Sequence, residues 1–515
     1  MNEKSIYSEI ILSKTGLEIP LLCNGKSIDS RYDPLRDSLR LIEEINENTS
    51  FIIVLGIASG IFIQSLLEKR KDLFVLAVEK SQADLEFLGQ LQAVKKLADE
   101  KRVCLCSLDQ LENKIIELYV PAFYGDLQVI EQRAWTNENT DCLERIKASI
   151  NKAAGIVSAD FSVQSHFGKL WQHNIMSNLK SLEYANNDSG LCRLPLDKTA
   201  VIVAAGPSLD TTIKNILSNR DDYYVIATDT ALSVLLSYKI TPQALVSIDG
   251  QNVSNVHFIH NENADISQTL FLFDLCANSS AVNRVIKCGG QVFFFSSGHP
   301  LCQYVNRHYS LGLPGLFSGA GTVTITALDF AVQAGFKKII TAGADFAYYK
   351  GKPYAKGTYL DRLYNQKANR IENINKQFSA LEFRTELLAK NEGFTTQILQ
   401  AYQMSFENYL TDRGLSFTNE NNLYIIKSQG ADKISLTKNQ SAQKGDLIIS
   451  DLMQTYRTKD CDRIFNSIYE LKDSDISLLP LISWIRNHDN IDKKNFNYYY
   501  KKAIDCSLNR EEINK

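Results

Sequence analysis

The chain is short of several features that would assign it to a class at once. No apolar run approaches the roughly eighteen residues a membrane-spanning helix needs. The longest, Phe51 to Phe62, is interrupted by Gly56 and Gly60. The first residues, MNEKSIYSEI, are charged and lack the apolar core of a secretory signal, so a cytoplasmic location with no transmembrane segment is expected. Positive charge is not in excess either. Lys and Arg number 56 against 59 Asp and Glu, a formal net charge of −3, which argues against a nucleic-acid partner. The cysteines, at 23, 104, 106, 142, 192, 276, 288, 302, 461 and 506, never form a paired CxxC spacing. Reduced, mostly buried thiols and no metal site are the expectation.

What is present is an ordinary globular composition, 44% hydrophobic and 22% charged, over 515 residues, too many for one core. The pattern is α/β, with four segments. Residues 1–135 form a smaller Rossmann-like domain, 136–190 a helical connector, 191–440 a central nucleotide-binding domain with a helical lid insertion (346–412), and 441–515 a helical carboxyl-terminal region.

In the first segment FIIVLGIASG (51–60) reads as a buried strand entering a glycine turn, and LFVLAVEKS (73–81) as a second strand ending at Glu79. That is the outline of a Rossmann half. The glycines are spaced GxxxG rather than GxGxxG, and the Lys and Ser/Thr of a P-loop are absent, so tight strand–helix packing is favoured over a ligand site. From 105 to 190 the pattern is polar and helical, with Trp135 and Trp171 as packing anchors. Strands are predicted at 200–205, 223–228, 244–248, 269–273, 291–295, 338–342 and 422–428, with two or three long helices between Leu360 and Leu410.

The chemistry gathers at the ends of the central strands. VIVAAGPSLD (201–210) runs a strand into Gly206, Pro207 and Ser208, where Ser208 or Asp210 can cap the following helix or leave its N–H groups to a phosphate. The next strands carry Asp229 with Thr230, and Asp249 with Gln251, just past their ends; KKIITAGADFAY brings Gly343, Asp345 and Tyr348. Any one of these could be a helix cap. Together on one rim of a parallel sheet they suit a ligand better. Ser318, Gly319 and Gly321 open a further helix whose amino terminus suits an anion. The stretch AYYKGKPYAKGT (347–358) reads as a mobile loop whose tyrosines and Lys350, Lys352 or Lys356 could neutralise a leaving phosphate.

GPSL (206–209), SGAGTV (318–323) and GADFAYYKGKPYAKGT (343–358) resemble the motility accessory factor family of flagellin glycosyltransferases, which share a domain with an archaeal pterin diphosphokinase. The same landmarks are similar to bacterial sialyltransferases that use CMP-activated nonulosonic acids. That resemblance implies nucleotide contacts from Gly206, Pro207, Ser208, Asp229, Asp249, Gln251, Ser318, Gly319 and Gly343. It makes Asp345, Tyr348 and Tyr354 the catalytic group, the tyrosines on the leaving phosphate, with IIKSQGAD (425–432) as closing strand and ligand loop.

Two departures stand out. Asp229 and Asp249 replace the sialyltransferase asparagines, and no histidine base occurs between His308 and His488, leaving Asp361, Glu382 or Glu386. The DxD metal motif is missing from the strand ends; Asp473-Ser474-Asp475 and Asp460-Cys461-Asp462 lie in the tail and read as surface and cap residues.

The expectation is therefore transfer of a pseudaminic or legionaminic type sugar from CMP to Ser/Thr of flagellin. It is inverting, needs no cofactor, and takes flagellin or a flagellin–chaperone complex as partner. A pterin-alcohol diphosphokinase using ATP and Mg²⁺, with Asp229, Asp249 and Asp345 as ligands, is the enzyme alternative. A non-catalytic flagellin-binding assembly factor is the third.

Overall fold

A computed structural model describes residues 4–43, 45–46, 49–184, 194–349, 351–390, 393–420, 423–429, 444–489 and 495–509. Lys350 and residues 430–432 of the expected ligand loop lie outside these. The chain divides into two compact units, residues 1–169 with 455–515, and residues 170–454.

The first unit opens with an antiparallel pair, β1 (Tyr7–Leu12) and β2 (Glu18–Leu22). A parallel sheet follows from β3 (Thr49–Leu55), β4 (Phe74–Glu79), β5 (Val103–Ser107) and β6 (Asp126–Glu131), in the order β5-β4-β3-β6. From Phe51 to Leu55 β3 is sealed on both faces, as an inner parallel strand must be. Sequence reasoning missed β6. It is an edge strand whose Asp126, Gln128 and Glu131 are not sealed in the core, so DLQVIE has no apolar run to betray it.

The tail supplies the helices Leu479–His488 and Phe496–Leu508 to this unit, with Phe496 tilted against Phe123 at 4.3 Å between ring centres. Asp475 is not a surface residue. It is buried, accepts the Lys472 N–H at 2.8 Å as a cap, and pairs with Lys459 and the Tyr500 hydroxyl.

The central unit holds an eight-stranded sheet. Its parallel strands are β7 (Thr199–Val203), β8 (Tyr223–Thr228), β9 (Ala244–Ser247), β10 (Leu270–Asp274), β11 (Gln291–Phe295) and β12 (Lys338–Ala342). Then come three short strands, β13 (Tyr348–Tyr349), β14 (Leu388–Lys390) and β15 (Gly393–Thr395), which pair among themselves. Finally β16 (Ser416–Glu420) and β17 (Leu423–Lys427) add antiparallel to the edge, giving the order β11-β10-β9-β8-β7-β12-β17-β16.

The lid differs from the long helices expected. It contains helices Tyr359–Lys367, Ile374–Glu382 and Gln397–Asp412, with β14 and β15 between the last two. Its apolar–charged alternation at helical spacing hid that short sheet.

The helix Val323–Ala334 is buried almost all round and packs with β7, β8 and β9 strand residues such as Ile202, Ile226 and Val246 in one core. Among the described residues the cysteines are free thiols, four of them buried, and no helix is long and apolar enough to cross a membrane.

Candidate functional site

The strand order fixes where a ligand belongs. From β7 the chain winds outward through β8, β9, β10 and β11, then returns to place β12 on the other side of β7. The direction of winding therefore reverses between β7 and β12, and the carboxyl ends of the strands at such a point are where open α/β sheets hold ligands. GPSL follows β7 and GADF follows β12.

These two loops lie backbone on backbone. The Gly206 N–H donates to Gly343 O at 2.8 Å. A Cβ at Gly206 would meet Gly343 O and Asp345 Oδ2 at 2.5 Å, and one at Gly343, which has φ +72°, would meet Ala204 O at 2.2 Å. Both positions require glycine for that approach.

Asp345 is buried, and its Oδ2 accepts the Ser208 N–H at 2.8 Å. Its Oδ1 is sealed and has no hydrogen-bond partner. Burial pushes its carboxyl up from the usual value, against the opposing pull of the Ser208 hydrogen bond and the nearby Lys390 cation. Lys390, which sequence reasoning did not single out, donates to Asp345 O at 3.0 Å and to Gln403 at 2.8 Å.

The GPSL turn does not leave its helix start bare. Leu209, Asp210 and Thr211 donate their N–H groups to Gly206, Pro207 and Ser208 carbonyls. The unmet group where these two loops cross is the acceptor Asp345 Oδ1, not the start of this helix.

The expected acids share the rim. Asp229, buried, accepts from the Ser247 hydroxyl at 2.8 Å and from the Thr230 N–H at 2.6 Å. Asp249 accepts the Gln251 N–H at 2.9 Å, and its carboxyl is raised by burial and by the Asp229 charge. The Gln251 side chain is exposed.

Tyr354 has its phenol pushed up by burial, with smaller contributions from the neighbouring tyrosines and the Asp229 charge, and Tyr348 is raised by burial and by the Glu382 charge. The loop carrying Tyr354 is pinned rather than loose. Lys352 pairs with Asp210 at 3.2 Å, the Lys356 N–H donates to Asp210 at 2.8 Å, and Ala355 N–H donates to Ala205 O at 2.9 Å.

Ser318 and Gly319 sit elsewhere on the rim. The Ser318 hydroxyl lies 3.5 Å from Ser297 O, and Gly319 borders a cavity of about 260 Å³ with Phe317, Ser405, Tyr409 and Arg413. Buried Asp329 ties this turn down, accepting from the Phe317 N–H, the Tyr409 hydroxyl and Arg413. The helix behind the turn, Val323–Ala334, has no side-chain cap; its Ile325 N–H donates to Thr322 O at 3.2 Å, and its dipole faces the turn.

The three expected bases fare differently. Asp361 accepts the Gly357 N–H at 2.8 Å and donates its own N–H to the Thr358 hydroxyl that caps its helix, and Glu386 is exposed. Glu382 is buried with Oε1 unpartnered, its carboxyl raised by burial, and its charge is felt by Tyr348. A histidine also reaches the rim from a segment the sequence did not flag. His257, in the 3₁₀ stretch Asn252–Asn263, is close enough to Asp249 to lower its pKa, and its Nδ1 is sealed without a partner. Its ring lies edge-on to Tyr359 at 6.2 Å.

The first unit has its own switch point, between β3 and β6, but it is filled. The Trp135 ring would stand 2.6 Å from a Cβ on Gly56. Glu79 spends its oxygens on the Tyr7 hydroxyl, the Ile57 N–H and Trp135 Nε1. The GxxxG turn is packing.

A doubly wound sheet with glycines and a buried carboxylate lacking one partner at its switch point places the central unit among the open α/β folds. Residues 169–351 match the model of the 6-hydroxymethylpterin diphosphokinase MptE-like family. Three uncharacterized proteins of Treponema pallidum (strain Nichols) are similar in part. They are 39%, 35% and 28% identical over 145, 141 and 206 residues, or 27%, 27% and 39% of this chain. The matches span 51%, 66% and 35% of those relatives' own lengths. Among solved structures, the MAf glycosyltransferase from Magnetospirillum magneticum AMB-1 has a similar fold, with a TM-score of 0.51 over 99% of this chain and 87% of that one, at 12% identity.

Proposed function

We propose that the central unit is a glycosyltransferase that moves a nonulosonic acid, of pseudaminic or legionaminic type, from a CMP-activated donor to Ser or Thr hydroxyls of flagellin or its chaperone complex. The observation that carries this reading is Asp345 at the switch point, with one oxygen held by Ser208 and the other sealed and unpartnered. A ribose hydroxyl or a base amino group supplies the missing donor; a bare phosphate does not.

The phosphate then belongs at the uncapped start of Val323–Ala334, with the sugar carboxylate toward Arg413 in the adjoining cavity. Burial keeps Tyr348 and Tyr354 protonated, as donors to a leaving phosphate must be. The acceptor oxygen attacks the anomeric carbon, the bond from that carbon to the phosphate oxygen breaks, and CMP departs.

The hydroxyl proton is assigned to His257, whose Nδ1 has no hydrogen-bond partner and whose charge acts on Asp249. Burial raises the Glu382 carboxyl, so it holds its own proton more tightly than an ordinary carboxylate. The similarity to the MAf glycosyltransferase fold supports this reading.

A second reading, a pterin-alcohol diphosphokinase, is favoured by the family match. It requires Asp229, Asp249 and Asp345 to share Mg²⁺. Those carboxylates do not fit the ion well: among the described residues they do not gather within ligating reach, and Asp229 is already engaged by Ser247 and Thr230.

Incubation with CMP-nonulosonic acid and flagellin, followed by CMP release and the mass of the flagellin, separates the two. Sugar-sized mass gain, with kcat about a hundredfold lower in Tyr354→Phe, is expected. ATP-dependent diphosphorylation of a pterin alcohol with no CMP release would install the second reading.

A further inference from the structure

We infer that Cys276, His299 and Cys302 form a structural site for one zinc-type transition-metal ion, which clamps the β10–β11 edge of the central sheet. Cys276 lies two residues past the end of β10, His299 is the N-cap of the helix Pro300–His308 after β11, and Cys302 is in that helix's first turn. The two sulfurs are 3.5 Å apart and a ring nitrogen of His299 completes a group within 4.8 Å. A tetrahedral zinc ion with bonds of about 2.3 Å holds two thiolates about 3.8 Å apart, so the sulfurs need only a small adjustment.

A second, independent feature points the same way. His299 as a residue is partly exposed, yet its Nε2 is sealed from solvent and has no hydrogen-bond partner. Its Nδ1 accepts the Leu301 N–H at 3.1 Å. Coordination takes the imidazole lone pair at Nδ1, or at Nε2 after the ring proton moves to Nδ1. Either way one neutral hydrogen bond is exchanged for a metal bond, and the two thiol protons pass to solvent.

Asp274, buried and accepting the Cys276 N–H at 2.9 Å, supports the loop that carries the first thiol.

The site is preorganised. Asn178 donates to Leu275 O and Ala277 O at 2.9 and 2.8 Å, and Asn174 donates to Cys276 O at 3.1 Å, fixing the loop around Cys276. The Trp171 ring stands edge-on to His299 at 5.6 Å. Two residues beyond Cys276 the Asn278 N–H donates to Asp249 O at 3.0 Å, so the ion would also stiffen the Asp249 segment of the rim. The sequence concealed this set because only CxxC pairs were sought, whereas His299 and Cys302 share a helix face at three-residue spacing.

The test uses the full chain, reduced, stripped with chelator and titrated with Co²⁺. One equivalent should bind with sulfur-to-cobalt charge-transfer and tetrahedral d–d absorption. Cys302→Ser should lose about half the charge-transfer intensity and at least about tenfold in affinity, while Cys106→Ser changes neither. Should the variants fail to fold, the wild type still decides: Zn²⁺ should protect the Cys276 and Cys302 peptides from alkylation. No stoichiometric Co²⁺ uptake, equal alkylation with and without Zn²⁺, or a Cys276–Cys302 disulfide in the protein isolated without reductant would each overturn the assignment.

Discussion

Asp345 and Glu79 are both buried carboxylates at the end of a parallel strand, and their partners give them opposite meanings. Glu79 is met on every side by its own unit, so it is structural. Asp345 has an oxygen left over. Asp345→Asn keeps the shape but loses the charge, and should weaken CMP binding by at least about tenfold, roughly 1.4 kcal/mol, with unchanged circular dichroism. Calorimetry checks this directly.

For Glu79, burial raises the carboxyl from 4.5 to about 7, so the folded state holds the proton more tightly than the unfolded one. Its stabilising contribution is present below pH 4.5 and is lost as pH rises through about 7. The loss is of order 3 kcal/mol. Urea midpoints followed by tryptophan fluorescence should fall over that window in the wild type and fall less in Glu79→Gln. An equal slope in both would show that the proton resides elsewhere. The GxDF aspartate was legible as a site residue because glycine and aspartate at a strand end have few other uses. His257 was not, because it lies in the β9–β10 connection, far in sequence from the lid, and only the fold lets its charge act on Asp249.

At the scale of elements, strands β7 to β12 were legible because parallel inner strands are continuous apolar runs. Edge strand β6 and the three-residue strands β14 and β15 were not, since their pairing rests on backbone bonds that side-chain periodicity does not record. The β7–β12 contact is built on glycine, and Gly343→Ala should lower the thermal midpoint by several degrees, its Cβ being driven onto Ala204 O. An unchanged midpoint would mean the loops can part at little cost.

The loop over the crevice is anchored differently, through Asp210 to Lys352 and to the Lys356 N–H. Asp210→Ala should release it, speeding amide exchange across residues 351–358 and raising KM for the donor, with little loss of global stability because the pair is partly exposed.

Over the whole molecule, the sequence gives an α/β centre with α/β before it and helices after it, and the fold agrees. What composition could not reveal is that residues 455–515 return to complete the first unit, leaving residues 170–454 as one continuous segment. That segment, expressed alone, should fold and bind CMP with the affinity of the full chain. Deleting residues 455–515 should instead expose Phe123 and make the first unit prone to proteolysis. The central claim is that the crevice between β7 and β12 holds a cytidine nucleotide through Asp345. Its most direct test is calorimetric titration of the wild type and Asp345→Asn with CMP, CDP, UMP and ATP, each with and without Mg²⁺. The account predicts saturable CMP binding that needs no metal and is lost in the variant. Binding of ATP only, dependent on Mg²⁺, with no response to CMP, would contradict it.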